Sequence, residues 1–201
     1  MAYHHGNLRQ ALVDAAVTLA RSGGPDAVVL RAATREAGVT PNAAYRHFAD
    51  RDDLLGAVCQ EAMEQLASRM QASLAEIDDD GSPLAAWARL RATGRAYVEF
   101  ALAEPGLFRT AFTSLAEAHS GLPPGEGRIR MQPFEILAAC LDGLVASGGL
   151  PPERRAMAET AAWAAVHGIS ELLLYGPLRQ LGPEERERAI DKVLDTVAFG
   201  L

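Results

Sequence analysis

Few side chains in this chain are spaced to make or break covalent bonds. The run Asp78-Asp79-Asp80 leads into a Gly-Ser-Pro turn and brings too few further oxygen ligands to specify calcium. His119-Ser120 stands without a partner acid or base. No paired carboxylates, metal-spaced His/Glu set, glycine-rich phosphate loop or nucleophile elbow accompanies it. Cys59 and Cys140 lie far apart in sequence, so neither a disulfide framework nor a zinc module is expected. An enzyme is therefore not expected, and neither is a metal or cofactor. What the sequence offers is recognition chemistry, concentrated in residues 30–48, LRAATREAGVTPNAAYRHF. Two short helices joined by Gly38-Val39-Thr40 have the spacing of a helix-turn-helix, in which one helix braces the next against the DNA major groove. Ala33, Ala37 and Ala44 are small enough for the helix crossing, Gly38 tolerates a positive φ, and Val39 and Phe48 are placed as apolar anchors. The same pattern also fits an ordinary helical hairpin inside a bundle.

Charge is unevenly placed along the chain. Residues 1–51 carry six arginines against four acids, a balance of +2, whereas the remaining 150 residues carry −9. Polyanions are repelled by most of such a molecule and tolerated by its first quarter. Of the nineteen basic residues, eighteen are arginine and one is Lys192, a bias that a GC-rich coding genome would also produce. With 201 residues, 49% of them hydrophobic, the chain is long enough for one domain or for a small domain joined to a larger one. No run approaches the roughly 18 apolar residues of a membrane span. The opening residues pass into a helical pattern without a basic-then-apolar leader, so a cytoplasmic protein is expected.

The punctuation is helical throughout, and the expected fold class is all-α with about nine helices. Apolar residues from Leu8 to Leu19 recur at three- and four-residue spacing, and Gly23-Gly24-Pro25 ends that helix. A second helix spans Leu30 to Ala37 and stops at Gly38; Thr40-Pro41 opens a third that reaches about Phe48. Asp50 can cap a fourth helix, with Asp53 near its free amides, running about 25 residues to Ile77. Further helices are expected at about 84–104, a short one through Phe108 and Phe112 after a break at Pro105-Gly106, and then at 131–147, 152–174 and 183–199. Ser120 to Arg130 is expected to be a loop. Large apolar residues gather after the acidic turn: Trp87, Tyr97, Phe100, Phe108, Phe112, Met131, Phe134 and Trp163 among them. They suit either a core or a ligand-pocket wall. His167 shares a helix face with Trp163, four residues earlier, and could close such a pocket or bond a neighbouring helix.

Residues Asn7 to Leu55 closely resemble the DNA-binding domain of TetR-family transcriptional regulators. The matching segments are AAVTLARSGG, LRAATREAGVT and AAYRHFADRDDLL. AYVEFALAEPGLFRTAF and Trp163…His167-Gly168 are similar to the C-terminal domain of a subgroup marked by a Trp…His-Gly motif, and the opening YHHGNLRQAL fits it too. The resemblance implies a helix-turn-helix domain over 1–51 and a ligand-binding, dimerising domain over 52–201, with helix 52–77 shared. It also implies roles. Thr40, Pro41, Asn42 and Ala43 face base edges, Asn42 matching the adenine N6/N7 edge. Tyr45, His47, Arg51 and Arg31 hold phosphates, and Tyr3, His4 and His5 approach the backbone or minor groove. Trp87, Tyr97, Phe100, Phe108, Phe112, Met131, Phe134, Trp163 and His167 line the ligand site. The last two helices form the homodimer interface through residues such as Leu172, Leu173, Val193, Leu194 and Val197. The partners implied are a palindromic double-stranded operator, a small lipophilic inducer and a second copy of the chain, with no membrane; the implied action is repression. A helical ligand-binding or interaction protein without DNA binding is the alternative. Three positions depart from the family pattern. Val29 stands where a capping serine or threonine is usual, Ala33-Thr34 replace a bulky aliphatic and an alanine, and Arg51 replaces a lysine. Looser packing of the second helix and one missing phosphate contact are therefore expected.

Overall fold

The computed structural model describes residues 8–118 and 132–200. Among them are nine α-helices and no strand: α1 (Leu8–Gly23), α2 (Leu30–Glu36), α3 (Pro41–Ala44), α4 (Arg51–Ala75), α5 (Pro83–Ala103), α6 (Pro105–Ala118), α7 (Gln132–Ala146), α8 (Ala158–Leu174) and α9 (Pro183–Gly200). The expectations for Tyr3, His4, His5, His119, Met131 and the 120–130 loop fall outside the described residues. No helix among the described residues is long and apolar enough to cross a membrane.

The described residues form two compact units, one of residues up to Met63 plus those from Glu104 to Ala118, the other of Glu64–Ala103 plus those from Gln132 onward. This is a different division from the expected 1–51 and 52–201, because α6 packs with α1. In the first unit, Leu12, Ala16, Ala33, Phe48, Leu55 and Phe108 are sealed from solvent, each at most 1% exposed. The Arg9 guanidinium lies 5.0 Å from the Phe48 ring centroid, closing that core with a cation–π contact. α6 starts at Pro105 and runs fourteen residues. The expected break before Pro105-Gly106 is present, α5 ending at Ala103, and Pro105 itself opens the next helix, since proline at the first helical position gives up no needed amide. Gly106 then lets α6 approach α1, and a Cβ there would overlap the backbone oxygens of Ala20 and Arg21.

In the second unit, α5 and α8 pack together and α7 and α9 flank them. Leu90, Leu141, Leu144 and Leu150 form its buried centre, with Trp87 packed against it. Gly94 permits the close crossing, because a Cβ on it would stand 2.7 Å from a Leu194 methyl. Two arginines of α5 tie α9 down. Arg91 reaches Asp191 at 2.7 Å and Asp195 at 3.2 Å, and Arg95 reaches Glu187 at 3.0 Å and also Asp191. α8 begins at Ala158 and not near Pro152 as expected. Residues 152–154 make a single 3-10 turn, and Met157 takes a left-handed φ of 62° that interrupts helical hydrogen bonding.

Gly106→Ala is expected to destabilise the protein by about 1–3 kcal/mol, since backbone must move to admit the methyl group. Urea denaturation measures the loss, and an unchanged midpoint would refute the close approach.

Candidate nucleic-acid interface and effector site

The turn between α2 and α3 is built from backbone hydrogen bonds. The Val39 amide donates to the Thr34 carbonyl (2.9 Å) and the Gly38 amide to the Arg35 carbonyl (3.2 Å), with Gly38 at φ 67°. This paired arrangement is the Schellman motif, which needs a left-handed residue where Gly38 stands. No atom lies near a hypothetical Cβ at Gly38, so the glycine is required by conformation and not by space. α2 packs more tightly than its unusual residues suggested. Ala33 and Thr34 are buried, and the Thr34 hydroxyl donates to the Arg31 carbonyl at 2.9 Å. Pro41 opens α3, with Thr40 in extended backbone before it; the Thr40 hydroxyl makes no capping bond. α3 is one turn long, and residues 45–47 form a turn where the helix was expected to continue to Phe48.

Thr40, Pro41, Asn42, Tyr45 and His47 are exposed together, Tyr45 at 55%, while Ala43 is half-buried and Ala44 wholly buried beneath them. Arg31 is exposed on α2. Arg51 is placed differently from the expectation. Its Nε–H donates to the Val28 carbonyl (3.0 Å) and its Nη2 to the Pro25 carbonyl (2.8 Å), so the guanidinium braces the connector between α1 and α2. Asp50 and Asp53 cap α4 reciprocally: the Asp53 amide donates to the Asp50 carboxylate (2.9 Å) and the Ala49 amide to the Asp53 carboxylate (3.1 Å). A second brace escaped sequence reasoning. Arg109 of α6 donates to the Gly23 carbonyl at 3.0 Å, a contact across 86 residues that no local pattern announces.

Of the nine residues expected around a ligand, the eight described ones separate into groups. Phe108 and Phe112 belong to the first unit and pack on each other, with ring centroids 5.0 Å apart. Trp87 lies against the buried centre of the second unit, and Phe100 is buried beneath the Arg69 guanidinium. Tyr97, Phe134, Trp163 and His167 do come together. The Trp163 Nε1–H donates to the Tyr97 hydroxyl oxygen (3.2 Å), and the same hydroxyl shares a hydrogen bond with His167 Nδ1 at 2.8 Å. Phe134 meets the Trp163 ring edge-on, centroids 5.5 Å apart.

Burial pushes the His167 imidazole below its ordinary pKa, opposed by the nearby Glu171 carboxylate. Burial likewise pushes the Tyr97 hydroxyl up, the Trp163 hydrogen bond working against it. None of these aromatic residues lines a neighbouring cleft of the second unit. That cleft, of about 550 Å³, lies at the end of α4, the start of α5 and α7, walled by Leu74, Ala86, Ile136 and Cys140, with Arg89 at its side. Arg89 Nε stands 3.5 Å from the Asp79 carboxylate, so the two charges offset. A shallower groove of about 520 Å³ runs along α8 and α9 past Ala165, Gly168, Leu172 and Val193.

Because burial disfavours the charged form of His167, its share of stability is complete above the unfolded-chain value of about pH 6.5 and is lost as pH falls below it. Between about pH 7.5 and pH 5 the wild type should therefore lose more melting temperature than His167→Gln, followed by circular dichroism. Parallel losses in the two proteins would contradict the assignment.

Comparison with known proteins agrees with this architecture. Residues 12–58 match the bacterial regulatory proteins of the tetR family, and residues 90–197 match the Tetracyclin repressor-like C-terminal domain. An uncharacterized HTH-type transcriptional regulator of Haemophilus influenzae is 40% identical over 75 residues, which span 37% of this chain and 37% of that relative. A Rhodococcus sp. RHA1 protein of unknown function aligns over 100% of this chain and 98% of its own, with a TM-score of 0.73 and 29% identity. The transcriptional regulator FadR from Bacillus subtilis, solved in complex with stearoyl-CoA, shares the fold at a TM-score of 0.70 and 18% identity, covering 96% of this chain and 98% of its own. With one family domain covering the exposed turn at Thr40–Tyr45 and another covering more than half the chain, this protein belongs to the TetR family of transcriptional regulators.

Proposed function

We propose that the protein is a homodimeric repressor that a small lipophilic inducer releases from a palindromic operator. The observation that carries this reading is the glycine-locked turn, which leaves Thr40, Pro41, Asn42 and Tyr45 exposed on a single helical turn while Ala44 anchors it from below. Asn42 offers an amide to a base edge, and Tyr45, His47 and Arg31 offer donors to phosphates. One such head reads few base pairs, so two are needed on successive turns of duplex. The apolar groove along α8 and α9 supports pairing of two chains there. We assign DNA reading to residues 1–51 braced by α6, and effector binding and dimerisation to the rest, with α4 shared. The setting is the cytoplasm, where an operator is accessible.

The cleft beside Arg89 has the volume of a small-molecule site and walls that are mainly apolar, which supports it as the inducer seat. FadR with its acyl-CoA supports a lipophilic ligand in this fold. The shared hydrogen bonds of Trp163 and His167 on Tyr97 support membership of the subgroup with the Trp…His-Gly motif. Inducer would favour a dimer state whose recognition helices no longer fit both half-sites, and affinity changes only as far as the ligand distinguishes the two states.

Duplexes selected from a random pool by the wild-type protein provide the test. Asn42→Ala should relax base preference at one position per half-site, worth about 1–3 kcal/mol. Tyr45→Ala should weaken all sequences alike, and wild-type binding should fall steeply with salt. Retention of wild-type operator binding by both variants would overturn the reading.

A further inference from the structure

We infer that Arg51 is a positioning residue for the DNA-reading head and not a phosphate ligand: by gripping the connector ahead of α2, it sets where α2 begins and so where Arg31 and α3 are presented. The inference rests on the DNA-binding reading above and goes beyond it, because it removes Arg51 from the contact set and gives it a different task.

The connector runs from Gly24 to Val29 and contains the 3-10 turn Pro25–Ala27. Its two carbonyls at Pro25 and Val28 face the start of α4, and the Arg51 guanidinium takes one with Nη2–H and the other with Nε–H, at 2.8 and 3.0 Å. Two hydrogen bonds from one planar group fix both distance and orientation, which a lysine ammonium, a single point donor, does not reproduce. Nη1 stands 3.5 Å from the Asp52 carboxylate, which lowers the local positive field that a phosphate would meet.

The need for such a brace is visible at the next residue. Val29 occupies the N-cap of α2 and makes no side-chain capping bond, so the helix start lacks the stabilisation that a serine or threonine cap commonly supplies. Val29 is 42% exposed, so it contributes little burial there either. The position of α2 must be set from outside the helix. Val28, wholly buried and immediately before it, is held by its carbonyl to Arg51. Just ahead of the connector's other end Arg109 holds Gly23, and a Cβ on Gly24 would collide with that guanidinium. The connector is thus clamped by arginines from α4 and α6.

The test uses the full-length dimer, Arg51→Lys and Arg31→Gln, alone and combined, with operator affinity measured at one salt concentration below the onset of melting. Arg51→Lys keeps the charge but not the fork. A positioning role predicts that it loses about tenfold or more in affinity. It also predicts that Arg31→Gln costs less in the Arg51→Lys background than in the wild type, because the two share one function. In the DNA-free protein, amide exchange in the first turn of α2 should accelerate in Arg51→Lys. Wild-type affinity in Arg51→Lys, additive losses in the double variant, or unchanged exchange would each overturn the inference. If the wild-type protein selected no duplex at all, the DNA-binding reading would fall while the exchange measurement still decided whether Arg51 sets the start of α2.

Discussion

One turn of α-helix has almost no stability of its own, because nucleation fixes several residues for a single hydrogen bond. α3 is such a turn, four residues long, and the first unit is arranged around that weakness. Proline at its first position presets φ, the Schellman bonds at Gly38 fix the angle at which it leaves α2, and buried Ala44 and Phe48 hold it to the core. A reading surface that cannot fold alone must be pre-shaped by its supports, and the exposed residues on it then keep their side chains free for a partner.

Local grammar was legible in the sequence wherever the cause lay within a few residues. The glycine stop after α2, the Thr40-Pro41 start, the reciprocal Asp50–Asp53 cap and a fourth helix of 25 residues all follow from neighbours in the chain. The failures share a different cause. Pro105-Gly106 shows a helix boundary but not the need for glycine at 106, which appears only once the α1 carbonyls of Ala20 and Arg21 face it. Arg51 reads as a surface cation until carbonyls 23 and 26 residues earlier are seen to face it. Met157 carries no sign in its side chain of the left-handed backbone it adopts. For the candidate site, the groups on α3 were named by the family resemblance, whereas the sorting of aromatics into separate clusters was not legible, since every one of them satisfies the same apolar pattern.

The second unit manages its polar groups by sharing them. Asp191 serves both Arg91 and Arg95, and the Tyr97 hydroxyl bonds both Trp163 and His167. The first arrangement is half-exposed, so solvent screening keeps its contribution small and its effect is mainly to fix the register of α9 on α5. The second is largely buried, where an unpaired polar atom is costly, and each member therefore constrains the rotamer of the next. Tyr97 joins that chain, since a phenylalanine in its place would remove one hydrogen bond from each of two neighbours.

The interleaving of the units has a practical side. Because α6 returns from far along the chain to pack on α1, the compact unit that bears α3 is assembled from two separate stretches of polypeptide. A graft of the first sixty-odd residues onto a relative would bring α1 without Leu107, Phe108 and Ala111, sealed apolar residues of its own α6. Building chimeric regulators from this protein therefore calls for transplanting both stretches, with junctions beside Met63 and Glu104, so that donor and recipient never share a single core.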